Sequence, residues 1–196
     1  MLERVSALAG ITPYEGDGIR IAENAAFTLT QVSGAAKALK ATLGVLPGAV
    51  GTTVSIDSTT VLRTGPAQIW LIEKGSNSRT PSSPRKRGPN FSASELRSKL
   101  DSRFRGNDGL GDIFVTSLSS SRTCIALEGI RSRDVLAKCA VIDCHPKTFK
   151  PNHFAMTGIH HMPVLIHCNG ADEFHICIMR TFALSLWEVL VDAGHS

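Results

Sequence analysis

The sequence lacks the features that mark a membrane-bound, exported or nucleotide-binding chain. No apolar run in its 196 residues approaches the roughly 18 residues that a membrane-spanning helix needs. Residues 1–10 include Glu3 and Arg4 and lead into no apolar segment of the kind found in secretory signals. Neither G-x-G-x-x-G nor G-x-x-x-x-G-K-[ST] occurs, and Gly16-Asp17-Gly18 lacks a third glycine and a following helix pattern. We therefore expect a soluble cytoplasmic protein that binds no nucleotide or flavin itself.

The cysteine and histidine pairs of the chain are poor matches to a zinc site. Structural zinc sites bring their ligands in close pairs such as C-x2-4-C or H-x3-5-H. Cys139 and Cys144 are separated by four residues and a predicted helix end, and His175 and Cys177 supply two ligands on one strand face, too few for a site. We expect no metal site, and we expect reduced, buried thiols and half-exposed imidazoles. The cysteines are Cys124, Cys139, Cys144, Cys168 and Cys177.

The positive charge of the chain is concentrated in one segment. The net charge is +4, but residues 79–108 alone carry +5, so the remainder is near neutral. Residues 76–111 are rich in Ser, Arg, Pro, Gly and Asn and poor in apolar residues. Such a segment buries too little surface to offset its ordering entropy, so it is predicted to be a disordered basic insert.

The origin of this insert is suggested by its sequence. Codons for Pro84-Arg85-Lys86-Arg87 can be written so that their reverse complement encodes Arg-Phe-Arg-Gly, which occurs at 103–106. The hypothesis is that a mobile inverted repeat entered the gene in frame within a surface loop. An ordinary disordered basic linker is the alternative. Sequencing the gene decides between them.

The rest of the chain predicts an α+β fold in two small subdomains, 1–75 and 112–196, on either side of the insert. Strands and helices alternate without regular βαβ units, which favours α+β over a doubly wound sheet. Ser132 is a predicted helix N-cap, and Gly194 is predicted to lie past the end of a final helix, Thr181–Val191. The predicted strands are Phe27–Val32, Thr52–Ile56, Thr60–Arg63, Ala67–Glu73, Ile113–Leu118, Thr123–Leu127, Pro163–Cys168 and Phe174–Met179, with another helix at Ala35–Leu46.

Candidate functional residues are few, because no nucleophile and base are singled out by their spacing. The final helix places Phe182, Leu186 and Leu190 near Trp187 at helical spacing. We expect core positions for Phe182 and Leu186, whereas Trp187 fits either the core or a docking face for a partner. Trp187, Phe182 and Leu190 are therefore the candidate docking residues; no catalytic, cofactor-binding or metal-binding residue is predicted.

Two segments of the second half carry recognisable motifs. The first joins R-T-C-I-A-L-E-G at 122–129 to V-L-A-K-C at 135–139 and D-C-H-P-K-T-F at 143–149. The second joins P-V-L-I-H at 163–167 to F-H-I at 174–176, R-T-F-A at 180–183 and Leu186-Trp187. Together they resemble the gamma-subunit family of heterotetrameric sarcosine oxidases over about 112–194, and more faintly over 27–73.

This resemblance implies a fold like the folate-binding fold of aminomethyltransferases and a structural, non-catalytic role. It implies a complex with alpha, beta and delta subunits that demethylates sarcosine to glycine, using oxygen as electron acceptor and tetrahydrofolate as one-carbon acceptor. FAD, FMN, NAD and tetrahydrofolate are then expected on the partner subunits and none on this chain.

Two alternatives remain open from the sequence. One is a stand-alone folate-binding or one-carbon transfer protein. The other is a nucleic-acid-associated module that uses the basic run Arg85-Lys86-Arg87, although the insert offers only Phe91 and Phe104 for base stacking. No specific nucleic acid is expected as a partner.

Overall fold

The computed structural model of the chain describes residues 5–56, 58–73 and 113–195. These residues have the predicted mixed α+β character, with strands predominating. The insert predicted at 76–111 lies outside them. No helix among them is both long and apolar enough to cross a membrane.

The strands of the described residues alternate with a few short helices. The helices are α1 (Ala36–Leu43), α2 (Ser132–Cys139) and α3 (Ala183–His195), with a 3-10 turn at Arg180–Phe182 just before α3. In chain order the strands are β1 (Tyr14–Gly16), β2 (Ile19–Glu23), β3 (Thr28–Ser33), β4 (Thr53–Ile56), β5 (Thr59–Gly65), β6 (Gln68–Glu73), β7 (Phe114–Ser117), β8 (Arg122–Glu128), β9 (His153–Ile159), β10 (Met162–Cys168) and β11 (Glu173–Met179).

The chain divides into two compact units whose boundary differs from the predicted one. One unit, the six-stranded unit, combines Met1–Ala25 with Ser120–Ser196, and the other, the five-stranded unit, is Ala26–Ser119. The first 25 residues join the second half because β2 pairs antiparallel with β8, which lies about a hundred residues later. A pairing between such distant segments leaves no local signal in the sequence.

The six-stranded unit contains an antiparallel sheet with the strand order β1-β2-β8-β11-β10-β9. Alternate side chains of a strand point to opposite faces, and Ile125 of β8 and Ile176 of β11 belong to the same core as α2 and α3. Val135 of α2 and Leu186 of α3 are fully buried in that core. The predicted core position of Leu186 is therefore confirmed.

Two hairpins of this sheet turn within two residues. β1 and β2 are joined by Asp17 and Gly18, both with positive φ, at 49° and 76°. Asp-Gly is a preferred dipeptide for such a turn, because both residues tolerate the left-handed region. Gly16-Asp17-Gly18 is thus part of a hairpin. His160 and His161 join β9 to β10, with a φ of 50° at His160.

Two predicted helix ends in the six-stranded unit are wrong. Ser132 is the first residue of α2, and the preceding Arg131 is the cap position. The Ser132 hydroxyl donates to the carbonyls of Gly129 and Asp172 instead of accepting from the helix. Gly194 lies inside α3 and is buried. Glycine is needed at this position because Ile19 packs closely against it: an added Cβ would lie 2.6 Å from Ile19 Cδ1.

The five-stranded unit contains an antiparallel sheet ordered β4-β5-β6-β3-β7. Leu39 and Leu43 of α1 pack with Val32, Val61 and Leu71 from three strands of this sheet. α1 ends at Leu43, three residues earlier than predicted, where Gly44 adopts a φ of 74° that favours glycine.

Candidate functional site

The predicted docking residues do not share one surface. Leu190 is fully buried in the core of the six-stranded unit, with Leu186 one turn before it. A side chain that already fills its own core cannot contact a partner, so Leu190 is not available for docking. Trp187 is nearly buried, at 9% exposure.

The predicted core position of Phe182 is wrong. Phe182 ends the 3-10 turn, and 37% of its surface is exposed. A 3-10 turn has about three residues per turn, so it shifts the positions before Ala183 out of the α-helical register that the spacing assumed. Val5 and Leu184 are among the other large apolar residues of this unit that are exposed. Val5 lies close to the turn, since Arg180 donates to its carbonyl. Phe182 is therefore the one predicted docking residue that is open to contact.

Trp187 forms one wall of a small cavity within the six-stranded unit. The cavity has a volume of about 270 Å³. We call it the Trp187 cavity; it is lined by Ser6, Leu8, Ala9, Gly10, Ile11, Pro13, Glu23, Ala25 and Trp187. Most of the residues that line it are apolar, but polar and apolar atoms contribute about equally to its exposed wall, and Glu23 is the one ionisable side chain among them.

Glu23, at the end of β2, is held by four donors. Its Oε1 accepts from the Ala7 amide at 3.1 Å and from the Thr123 hydroxyl at 2.6 Å. Its Oε2 accepts from the Leu8 amide at 3.2 Å and from the Ser6 hydroxyl. Burial alone would raise the pKa of Glu23, but these hydrogen bonds favour the charged form and hold the pKa below its usual value.

The chemical role of Glu23 follows from this saturation. A general base needs a free lone pair and a pKa near the working pH. Glu23 has a lowered pKa and both oxygens engaged twice. It therefore fastens the segment 6–8 to the sheet and is not arranged as a general base at the Trp187 cavity.

A second charged group, Arg133 of α2, fastens the loops at the other end of the sheet. Its Nε donates to the Ala171 carbonyl at 2.9 Å, and its Nη1 donates to the carbonyls of Cys144 at 2.6 Å and Phe149 at 3.1 Å. Its guanidinium also lies 5.0 Å from the centroid of the Phe174 ring. Arg133 thus joins three loop carbonyls to one helix.

All five cysteines are buried free thiols. Burial, with the neighbouring Cys144 thiol, raises the pKa of Cys139 to about 11. Burial also raises the pKa of Cys144 and of Cys168, although Arg133 opposes the rise in both. A thiolate nucleophile needs a lowered pKa and access to solvent. Cys139, Cys144 and Cys168 have neither, and all five thiols are buried, so they are packing groups.

The histidines divide into three groups. His153 is half-buried, as predicted, whereas His145, His160, His161 and His195 are more exposed than predicted. His167 and His175 are buried, at 2% and 6% exposure, so the prediction of half-exposed imidazoles is wrong for them. They face each other across β10 and β11 with ring centroids 6.3 Å apart, and His175 Nε2 lies 3.4 Å from Glu173 Oε1.

The turn containing Asp143 and His145 is organised by its own backbone. Asp143 Oδ1 accepts from the His145 amide at 2.9 Å, and His145 Nδ1 accepts from the Lys147 amide at 3.2 Å. The pKa of Asp143 is lowered, first by the His145 amide and then by Thr148. Within the described ranges, no three His, Cys, Asp or Glu side chains lie together as a metal site would require.

Sequence reasoning missed Glu23 and Arg133, the two charged groups that organise this unit. Each contacts residues far away in the chain: Glu23 contacts Thr123, 100 positions on, and Arg133 contacts Ala171, 38 positions on. Neither belongs to a local motif. By contrast, the Asp17-Gly18 dipeptide could have revealed β1 and β2, because it is a hairpin signal in the sequence itself.

Comparison with known families gives a consistent result. A family model described as "Sarcosine oxidase, gamma subunit family" matches residues 98–196. The sarcosine oxidase subunit gamma of Corynebacterium sp. (strain U-96) is 30% identical over 158 residues, which cover 80% of this chain and 67% of that protein.

Comparison with solved structures agrees. Heterotetrameric sarcosine oxidase from Corynebacterium sp. U-96, in complex with pyrrole 2-carboxylate, contains a chain that matches with a TM-score of 0.71 and 25% identity, over 89% of this chain and 83% of that one. Glycine cleavage system aminomethyltransferase T from Bartonella henselae matches with a TM-score of 0.57 and 16% identity, over 87% of this chain and 45% of that one. The second match is evidence of a shared fold alone.

Proposed function

The chain belongs to the sarcosine oxidase gamma subunit family, and from this we propose that it is the small, structural subunit of a heterotetrameric sarcosine oxidase. The observation that carries the proposal is the match to a chain of such a complex over 89% of this chain. The expected role is to cover apolar surface on a larger subunit and so to stabilise it by mass action.

The arrangement of charged groups supports a structural role. Glu23 and Arg133 are engaged by backbone and hydroxyl groups of their own unit. The buried thiols of Cys139, Cys144 and Cys168 have raised pKa values. These groups hold loops in place, and none is arranged as a nucleophile with its base.

The finer features of the complex are part of the proposal. We propose alpha, beta and delta partner subunits that carry FAD, FMN, NAD and tetrahydrofolate, with the assembly in the cytoplasm. The complex would oxidise sarcosine to glycine and transfer the one-carbon unit to tetrahydrofolate. Phe182 would lie at the contact with a partner. Trp187 is buried deeper in the same unit, where it lines the Trp187 cavity.

Co-expression with the neighbouring genes tests the structural role. With a tag on this chain, the three other subunits should co-purify, and sarcosine-dependent oxygen uptake should be high. Leaving out this chain should lower the amount of soluble large subunit together with the uptake. A chain that is monomeric alone and purifies without the other subunits contradicts the proposal.

Two experiments, a folate titration and a deletion, separate this role from the alternatives. Isothermal titration of a folate into the purified chain should give no tight binding; tight binding would favour a stand-alone one-carbon protein. Deleting 76–111 tests the nucleic-acid alternative, because electrostatic binding that disappears with the insert is non-specific.

A further inference from the structure

The sheet edge at β9 differs from the other sheet edges of the described residues. β9 has seven residues, whereas the edge strands β1, β4 and β7 have three, four and four. Its sequence, H-F-A-M-T-G-I, contains no Lys, Arg, Asp, Glu or Pro. Proteins usually protect a sheet edge by making it short, charged or proline-containing. β9 has none of these protections.

The direction of the β9 backbone groups follows from two hydrogen bonds with the segment after α2. The Val141 amide donates to the Gly158 carbonyl at 3.1 Å, and the His160 amide donates to the Cys139 carbonyl at 3.3 Å. The backbone amide and carbonyl groups of Gly158 and His160 therefore point away from β10. Successive residues of an antiparallel strand direct these groups to alternate sides, so those of Met156 also point to the open edge.

The pairing of β9 with β10 agrees with this direction. Gly158 lies opposite Pro163 in the register. Proline has no amide hydrogen to donate, so it fits a pair in which the strands exchange no hydrogen bond. The hydrogen-bonded positions of this ladder are then Ile159, Thr157 and Ala155, which leaves Met156 facing outward.

Met156 is the centre of the open part of the edge. It is 61% exposed, whereas Phe154 is buried at 6%. Among the described residues, neither the amide nor the carbonyl of Met156 has a hydrogen-bond partner, and the amide of Gly158 has none. The Val141 side chain next to this edge is 75% exposed. Unpaired backbone groups thus lie beside two exposed apolar side chains.

We propose that the edge of β9 around Met156 binds an extended segment of a partner subunit, which continues the line of the Cys139–Val141 segment as an added strand. This inference rests on the proposed function, because the occupant is another chain of the same complex. The segment is recognised by its backbone amide and carbonyl groups and carries an apolar side chain that covers Met156 and Val141.

The choice of an extended segment follows from the chemistry of the edge. A helix has its backbone groups satisfied internally, so it would leave the Met156 amide and carbonyl buried without partners, which is costly. An extended strand satisfies them. The chain's own Ala140, bridged to Ile159, demonstrates that this edge accepts an antiparallel neighbour.

A competition between chains tests the proposal in the assembled complex. Wild-type and variant chains with different mass tags are co-expressed with the partner subunits, and their ratio in the complex is compared with their ratio in the soluble pool. Met156→Pro removes an amide that faces outward and leaves the ladder to β10 intact. We expect it to be under-represented in the complex by about tenfold, the effect of losing a hydrogen bond and a strand contact.

The opposite edge of the same sheet offers a matched control. Gly16 and Ile19 close a two-residue turn, so the amide of Glu15 faces away from β2. Glu15→Pro should therefore enter the complex as well as the wild type. Met156→Lys and Ile130→Lys form a second pair, with 61% and 79% exposure at the two sites; only the first should be excluded, and it replaces Met156→Pro if that variant does not fold.

Hydrogen exchange and native mass measurement complete the test. In the assembled wild-type complex the Met156 amide should exchange at least about tenfold more slowly than an open amide. Equal incorporation of the β9 variants, or fast exchange at Met156, overturns the inference and leaves the proposed function standing. Two copies of this chain joined at β9 also overturn it. A wild-type chain that never enters a complex overturns both.

Discussion

The two units of the chain fasten their loops with the same kind of side chain, but to different extents. In the six-stranded unit, Arg133 uses Nε and Nη1 to bind three loop carbonyls, and its guanidinium lies against a phenylalanine ring. In the five-stranded unit, Arg63 uses Nη1 alone, donating to the carbonyls of Pro47 at 3.0 Å and Gly48 at 2.9 Å. Arg63 Nε is buried and finds no partner in the described part of the chain.

The difference indicates how far each unit depends on charge. Hydrogen bonds from a charged donor are stronger than neutral ones, and a buried N–H without a partner is costly. Arg133 is satisfied at several points, and Glu23 adds a second charged contact in the same unit. The five-stranded unit combines a partly satisfied arginine with neutral contacts such as Thr52 to Ala49. Removing charge should therefore harm the six-stranded unit more.

The largest effect is expected from Arg133→Met. The methionine keeps much of the apolar stem but leaves three carbonyls without their donor, which should lower the free energy of unfolding by about 3 kcal/mol. Arg133→Lys should recover only part of this loss, because an ammonium cannot reproduce the planar set of donors. Urea unfolding followed by hydrogen exchange on peptides of 120–195 measures both variants. A loss equal to that of Arg63→Met would remove the distinction between the units.

Glu23→Gln should lower the free energy of unfolding by a smaller amount, about 2 kcal/mol. The glutamine side-chain amide would place a donor NH2 group against backbone amides and hydroxyls that already donate to Glu23. The effect should depend on pH. The folded-state pKa of Glu23 is lowered, so its stabilisation is present above the usual value, near 4.5, and is lost as the pH falls through the lowered pKa. The variant and the wild type should converge in acid. A constant difference from pH 7 to pH 3 would contradict this role.

Arg63→Met should cost less, about 1 kcal/mol, because the lost contacts to Pro47 and Gly48 are partly offset by removing the unpaired Nε. Hydrogen exchange on peptides of the five-stranded unit measures this loss of unfolding free energy. A loss as large as that of Arg133→Met would mean that Arg63 is better satisfied than its contacts suggest.

The smallest effect is expected from Thr52→Val. The Thr52 hydroxyl donates to the exposed Ala49 carbonyl at 2.7 Å, and water can replace it there. The expected loss is about 0.5 kcal/mol. Thermal unfolding, with Thr52→Ser as the control that keeps the hydroxyl, measures it. A loss above that of Arg63→Met would reverse the predicted order.

The elements of the fold were largely predictable where apolar residues alternate over several positions. The alternation in Phe27–Val32 and Phe174–Met179 corresponds to β3 and β11, within one residue at each end. β9 was not predicted, because Ala155 and Gly158 weaken its strand pattern. The division into units was not predictable, because it depends on β2 pairing with β8.

The candidate site was less predictable, because it is built from contacts between distant residues. Helical spacing correctly placed Leu186 in the core, but it placed Phe182 there too, since the spacing cannot reveal that the first turn is 3-10. Glu23 and Arg133 have no motif around them. Their roles depend on which backbone groups the folded chain brings to them.

Each unit contains its own natural reporter of unfolding. All five cysteines lie in the six-stranded unit and are buried, and one tryptophan lies in each unit, Trp187 in the first and Trp70 in the second. A thiol reagent can modify these cysteines only when their unit opens, so labelling kinetics follow that unit alone. Colour released by the reagent and fluorescence of Trp70 in a Trp187→Phe variant would time the opening of the two units in one sample, without attaching a dye to the protein beforehand.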